Sequence, residues 1–166
     1  MKHGAVFAII ALSASAAAAA PRTLAARGVW AGFDHGHHCE AVARSELDAR
    51  KNRPQARAGF AFDRAAVHRG ARRHGELVLR LSRIPRAGSS VILKIGGQPF
   101  LLAARGDWAW SRGPAQDAAI IASARLAGSM RVEARDGSGR RFADRYLLDG
   151  APTAIDAAAA ACALAK

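Results

Sequence analysis

Residues 76–83 read ELVLRLSR, and this stretch decides the fold class. Leu77, Leu79 and Leu81 lie two residues apart, so they share one face of an extended chain. One apolar face is typical of a strand in an antiparallel sheet, which buries one side and exposes the other. Residues 130–135 and 140–148 repeat the alternation on either side of the turn sequence DGSG, which predicts a hairpin.

Shorter strands are predicted on both sides of residues 76–83. Residues 91–95 and 99–103 flank Gly96 and Gly97, which adopt the positive φ angles of a tight turn without a steric cost. Further short stretches alternate or carry apolar residues on one face, and these are residues 28–33, 39–44, 58–63 and 107–111.

Two helices are expected among these strands. In residues 115–127, Ile120, Ala124 and Ala127 form an apolar stripe, and Gly128 ends the helix. A last helix opens at Thr153 and is almost entirely alanine. We therefore predict a mainly β fold, an antiparallel β-sandwich or barrel-like domain of about eight strands with one inserted helix and a C-terminal Ala-rich helix.

The N-terminus predicts export. A basic start, an apolar core at residues 5–12 and a run of alanines ending at Ala20 have the order of a secretory signal peptide, although an Ala-rich tail is the alternative. We expect cleavage of residues 1–20, a flexible leader at 21–27 and a single β-rich domain at 28–166. The expected location is periplasmic or extracellular, with no transmembrane segment in the processed chain.

The two cysteines, Cys39 and Cys162, lie near opposite ends of the predicted domain. In an oxidising compartment two isolated cysteines most simply pair with each other. Such a disulfide would close a loop of more than 100 residues and stabilise the fold by about 5 kcal/mol in the chain-entropy model. Free thiols or a bridge between two chains are the alternatives.

The densest group of metal-binding residue types surrounds the first cysteine. His35, His37 and His38 precede Cys39, and imidazole and thiolate both bind zinc or copper. Adjacent His37 and His38 would point to opposite sides of a strand, and a disulfide would remove the thiolate. We therefore expect a solvated turn and no cofactor, and keep a metal or small-ligand carrier as the alternative function.

Arginine dominates a basic chain with 25 Lys and Arg against 13 Asp and Glu. Export argues against a nucleic-acid partner, so an anionic envelope component or a protein is the expected partner, and the oligomeric state stays open. The alternative is a merely solvated basic surface. The expected contact residues lie between strands and are Arg57, Arg64, Arg69, Arg72 and Arg73.

No catalytic pattern accompanies these features. The sequence holds no GxSxG, and a strand follows Gly96 and Gly97 where a phosphate-binding loop requires a helix. We expect no enzyme. Trp30 is expected in the core, whereas Trp108 and Trp110 suit the core and the surface equally.

The order of these features resembles the invasion-associated locus B family of bacterial exported proteins. Members often carry a further central cysteine pair, where this chain has Trp108 and Trp110. The resemblance implies a sandwich-like, envelope-associated and non-enzymatic protein, so the expected function is envelope integrity or binding of an envelope or protein partner. The matching stretches are GVWAGF at 28–33 followed by Cys39, LVLRLSR at 77–83, VILKIGGQPFLL at 91–102, residues 117–150, and TAIDAAAAAC at 153–162.

Overall fold

The computed structural model describes residues 20–47, 54–64 and 72–164. All but the last residue of the predicted signal peptide therefore lies outside the described residues.

Ten strands and two helices make up the described structure. The strands are β1 (Arg22–Arg27), β2 (Trp30–Asp34), β3 (His38–Arg44), β4 (Arg57–Asp63), β5 (His74–Arg80), β6 (Val91–Ile95), β7 (Gln98–Arg105), β8 (Trp108–Trp110), β9 (Ser129–Arg135) and β10 (Arg141–Leu147). The helices are α1 (Pro114–Leu126) and α2 (Ala151–Ala163).

All strand pairs are antiparallel, and together they form one sheet in the order β1-β2-β3-β4-β5-β8-β7-β6-β9-β10. The sheet curls until its two ends approach each other without closing. The indole N–H of Trp30 donates to the carbonyl oxygen of Leu147 at 2.8 Å, and the N–H of Glu46 donates to that of Arg145 at 2.8 Å. Hydrogen bonds from β2 and from the residue Glu46 after β3 thus join β10 in place of a closing ladder.

The predicted fold class is confirmed: the chain is mainly antiparallel β, with one helix in the middle and one at the C-terminus. The predicted hairpins of β6 with β7 and of β9 with β10 are present, and the β6–β7 turn has φ of +54° at Gly96 and +87° at Gly97. The predicted helix at 115–127 is observed as α1.

The prediction of a flexible leader at residues 21–27 is wrong. Arg22–Arg27 forms β1, the edge strand of the sheet, and pairs with β2 in a register that sets Arg27 opposite Trp30. An edge strand needs few apolar residues because much of its surface stays in water. Only Leu24 of β1 packs against the core, so the segment lacks the alternation that marks a half-buried strand.

Helix α2 lies against β1, β2 and β3 with a face of small residues. A Cβ added at Gly32 would lie 3.2 Å from the carbonyl oxygen of Ala154, so the glycine permits this close approach. The helix begins at Ala151, directly after Gly150 with φ of +84°, rather than at Thr153. Neither helix has the length and apolar character that crossing a bilayer requires, among the residues that the structure describes.

Candidate functional site

The predicted disulfide is confirmed. Cys39 of β3 and Cys162 of α2 are bonded, with their Cα atoms 5.8 Å apart, and both are almost fully buried. The bond therefore fixes the last turns of α2 to strand β3 of the sheet.

Arg64 adds hydrogen bonds at the same end of α2. Its Nε donates to the carbonyl oxygen of Gly36 at 2.8 Å, and its Nη1 donates to those of Ala161 and Leu164 at 3.0 and 3.1 Å. Its Nη2 lies 3.0 Å from both carboxylate oxygens of Asp34. The guanidinium thus satisfies carbonyls at the end of α2, where a cation also complements the helix dipole.

The prediction that Arg64 contacts an anionic partner is therefore wrong. Its side chain is only 7% exposed, and its charge is compensated by Asp34. The backbone N–H of Gly36, followed by the side chains of Arg22 and Arg64, holds the pKa of Asp34 at about 2, below its usual 3.8. The residue lies just outside β4, where sequence alone indicates a solvated position.

The other predicted contact arginines are scattered. Arg73 is half-buried and bound to Asp63, with its Nε 3.0 Å from Oδ1 and its backbone N–H 2.9 Å from Oδ2. Arg72 is exposed, and Arg69 lies outside the described residues. Of the five, Arg57 alone belongs to a larger cationic surface in the described structure.

That surface is a row of side chains across five adjacent strands. Arg44 of β3 pairs with Arg57 of β4, which pairs with Arg80 of β5. The row continues through Trp108 of β8 to Arg105 of β7. Directly paired residues share a face of the sheet, and all five are exposed. We call these five residues the arginine row; with strands about 4.8 Å apart it spans about 19 Å.

Cations placed side by side across strands repel each other, at a cost of a few tenths of a kcal/mol to about 1 kcal/mol per pair. Within the part of the chain that the structure describes, two contacts relieve this repulsion in part. Nε of Arg80 lies 3.1 Å from Oδ2 of Asp107, and the guanidinium carbon of Arg57 lies 5.7 Å from the centre of the Trp108 ring. Neither Arg44 nor Arg105 forms an ion pair with an acid in the described ranges, so the row keeps three uncompensated charges.

Some basic residues elsewhere on the sheet form ion pairs. Oε2 of Glu133 lies 2.9 Å from Nζ of Lys94, and its Oε1 lies 2.6 Å from Nη2 of Arg131. These cations lower the pKa of Glu133 through the Lys94 hydrogen bond above all. Arg145 is bound by Glu46 at 2.9 Å. Arg27, Arg135 and Arg141 form no ion pair within the described residues either, and Arg135 lies opposite Arg141. The arginine row is therefore distinguished by its extent across five adjacent strands.

Apolar surface adjoins the arginine row. Val42, Val78 and Trp110 form the next row on the same face and are half-buried. Beside them a groove runs along the approach of β10 to β2 and β3, with Arg44 and Arg57 in its wall. We call it the apolar groove; its apolar lining residues are Val29, Ala31, Phe33, Val42, Ala43 and Leu147.

The hairpin of β2 and β3 brings the three predicted histidines together, and the ring centres of His37 and His38 lie 4.5 Å apart. The backbone N–H of His35 donates to the carbonyl oxygen of His38 at 2.9 Å and closes a two-residue turn of Gly36 and His37. The rings of His35 and His38 stack with their centres 4.4 Å apart. Glu40 lies on the same face, and its Oε1 is 3.1 Å from Nε2 of His35.

His35, His38 and Glu40 are half-buried, and one donor atom from each lies within 4.8 Å of the others. We call these residues the histidine cluster. His37 is exposed in the turn, and Cys39 is closed off by its disulfide, so neither belongs to it. The sequence pattern missed Glu40 because only the hairpin register places it beside His35.

The ring of His38 sits in a poorly solvated position. Its Nδ1 is buried and has no hydrogen-bond partner within the described structure. Desolvation, and then the neighbouring His35 and His37, lower the pKa of His38 below its usual 6.5. A lowered pKa favours the neutral imidazole, in which one ring nitrogen has a free lone pair.

The buried acids of the sheet have structural roles. Asp144 accepts the backbone N–H of Ser82 at 2.9 Å, and Asp117 accepts the hydroxyl hydrogen of Ser111. Asp136 accepts the N–H groups of Ser138 and Arg140 at 3.1 Å each. Each carboxylate is used to hold a turn or a strand end, and none faces a nucleophile and base together.

No family model, curated protein or solved structure matches this chain. The resemblance to the invasion-associated locus B family therefore rests on the quoted motifs alone and remains a proposal.

Proposed function

We propose that this chain is a non-enzymatic exported protein of the invasion-associated locus B type that binds the anionic phospholipid surface of the envelope through its arginine row. The single observation that carries the proposal is the alignment of Arg44, Arg57, Arg80 and Arg105 on one exposed face, where Asp107 is their only acidic partner among the described residues. Aligned like charges reduce the stability of a sheet, and a bound anion would offset their repulsion.

The chemistry of this face suits a phospholipid headgroup region. Guanidinium groups bind phosphate in a bidentate manner. Trp108 is 37% exposed between Arg80 and Arg105, and tryptophan prefers the boundary between headgroups and acyl chains. The apolar groove beside Arg44 and Arg57 offers further contact for the apolar part of a lipid. The arginine row would therefore contact the lipid phosphates, and the adjoining apolar groove would contact the apolar part of a lipid.

Vesicle co-sedimentation tests this function. The full chain should bind vesicles that contain phosphatidylglycerol and should not bind vesicles of phosphatidylcholine alone. Binding should weaken as salt rises, because the screening length falls from about 10 Å at 0.1 M to about 3 Å at 1 M. Equal binding to both vesicles, or binding that salt leaves unchanged, would reject the proposal.

A protein partner is the remaining alternative within the same class. It would use the arginine row against acidic side chains, and it would leave the chain unbound to protein-free vesicles. The vesicle experiment therefore separates the two partners directly.

A further inference from the structure

We propose that the histidine cluster binds one divalent first-row transition-metal ion, for which zinc is the reference. The three donors, two imidazole nitrogens and one carboxylate oxygen, are a ligand set that zinc accepts. They come from both sides of the hairpin turn, so an ion would bridge the end of β2 and the beginning of β3. The set leaves at least one coordination position for water or an external ligand.

The existing geometry is close to what coordination requires. Donors at 2.0–2.2 Å from a tetrahedral zinc ion lie about 3.3 Å from one another. Nε2 of His35 and Oε1 of Glu40 are already 3.1 Å apart. Only His38 must bring its donor atom closer, from a position within 4.8 Å of the other two. The side chains of His35 and Glu40 are 26% and 21% exposed, which leaves them room to rotate and gives an ion access from solvent.

The protein leaves the cluster without a competing partner for His38. Its buried Nδ1 has no hydrogen bond within the described residues, and an unpaired buried nitrogen destabilises the fold. A metal ion bound at this nitrogen would supply the missing interaction. Beside the cluster, Asp63 forms an ion pair with Arg73.

The hairpin backbone holds the donors in place. The turn hydrogen bond from His35 to His38 fixes the cross-strand pair, and Gly36 at φ +85° permits the tight turn. Cys39 lies between His38 and Glu40 and is fixed by its disulfide to α2. The fold therefore holds the three ligands close together before an ion binds, which lowers the entropy cost of binding.

This proposal departs from the expectation of a merely solvated turn. That expectation rested on His37 and His38 pointing apart and on the loss of Cys39. The ring centres of His37 and His38 in fact lie 4.5 Å apart, whereas the disulfide does remove Cys39. The hairpin instead joins His38 to His35 and adds Glu40. The inference is independent of lipid binding, because the cluster and the arginine row share no residue.

Isothermal titration of the full chain, produced without a polyhistidine tag, tests the site with Zn²⁺. We expect one ion per chain with a dissociation constant of about 1–10 μM, and a higher melting temperature with excess zinc by mass action. His35→Ala and Glu40→Gln should each weaken binding by about tenfold or more, because each removes one of three ligands. Glu40→Gln keeps the shape of the side chain, so its circular dichroism should match that of the unaltered chain.

His74→Ala is the matched control, since His74 is an exposed histidine on β5 outside the cluster. It should leave the zinc affinity within about twofold. A chain that takes up no zinc at 100 μM would overturn the site. So would binding that His74→Ala weakens as much as His35→Ala, because the ion would then be held by histidines without regard to position.

Discussion

Removal of the disulfide should cost a large share of the stability of this fold. Cys39 and Cys162 are 123 residues apart, and the chain-entropy model assigns about 5 kcal/mol to a closed loop of that length. A compact unfolded state reduces this figure, so we expect Cys39→Ser with Cys162→Ser to lower the free energy of unfolding by about 2–5 kcal/mol. Urea denaturation followed by circular dichroism measures the difference.

Arg64 holds the same end of α2 as the disulfide, so the two contributions to stability should be coupled. Arg64→Met leaves two carbonyls of α2 without a donor and removes one cation from Asp34, so it should cost about 2–4 kcal/mol. Both perturbations release the same end of α2, and Nη2 of Arg64 lies 3.9 Å from Sγ of Cys39. The losses should therefore overlap, and the triple variant should lose at least about 1 kcal/mol less than their sum.

Limited proteolysis supplies the second measurement, because a released α2 should be cleaved before any strand. Two results would refute the reasoning. One is a disulfide-free chain within about 0.5 kcal/mol of the unaltered chain. The other is strict additivity of the two losses, since it would mean that Arg64 and the disulfide hold separate parts of the fold.

Three further predictions concern pH, backbone strain and export. Because the pKa of Asp34 is lowered to about 2, its contribution to stability is present above about pH 4 and is lost as the pH falls towards 2; acid titrations of Asp34→Asn should lack that component. Gly150→Ala should destabilise by about 2–4 kcal/mol, since φ is +84° and the added Cβ would lie 1.8 Å from the carbonyl oxygen of Arg27. Gly88→Ala, at φ +74° with no atom within 4 Å, should cost only about 1 kcal/mol, and thermal denaturation compares the two. Intact-mass analysis of periplasmic protein should find cleavage close to Ala20, and a mass that retains residues 1–20 would contradict export.

Local patterns in the sequence predict much of the sheet. The β9–β10 hairpin follows from alternation around DGSG, and the β6–β7 hairpin follows from Gly96 and Gly97. Trp30 is buried as expected, at 1% exposure, because it fills the core under α2. These features depend on neighbours in sequence, so the pattern of residues contains the information. β1 escaped prediction because an edge strand carries little of that pattern.

The candidate sites depend on pairings between distant segments. The arginine row requires β8 to pair with β5 and β7, and α2 must lie near the β2–β3 turn to bury Arg64. Neither relation leaves a periodic signal in the sequence. Glu40 joins the histidine cluster through a hairpin register that a one-residue shift would destroy. Residue types in the sequence indicated anion binding and metal binding. The strand pairing determines which of those residues lie next to one another.

The most direct test of lipid binding compares two triple variants of equal charge. One replaces Arg44, Arg57 and Arg105 of the arginine row with glutamine. The other replaces Arg86, Arg131 and Arg141, which are exposed elsewhere on the fold.

At about 1 kcal/mol per arginine near an anionic surface, the first variant should lose about 3 kcal/mol, or about 100-fold in partitioning to phosphatidylglycerol vesicles. The second variant should lose less than about tenfold, because only the general attraction of net charge is reduced. Equal losses in the two variants would contradict the account, since lipid binding would then follow net charge and not the arginine row.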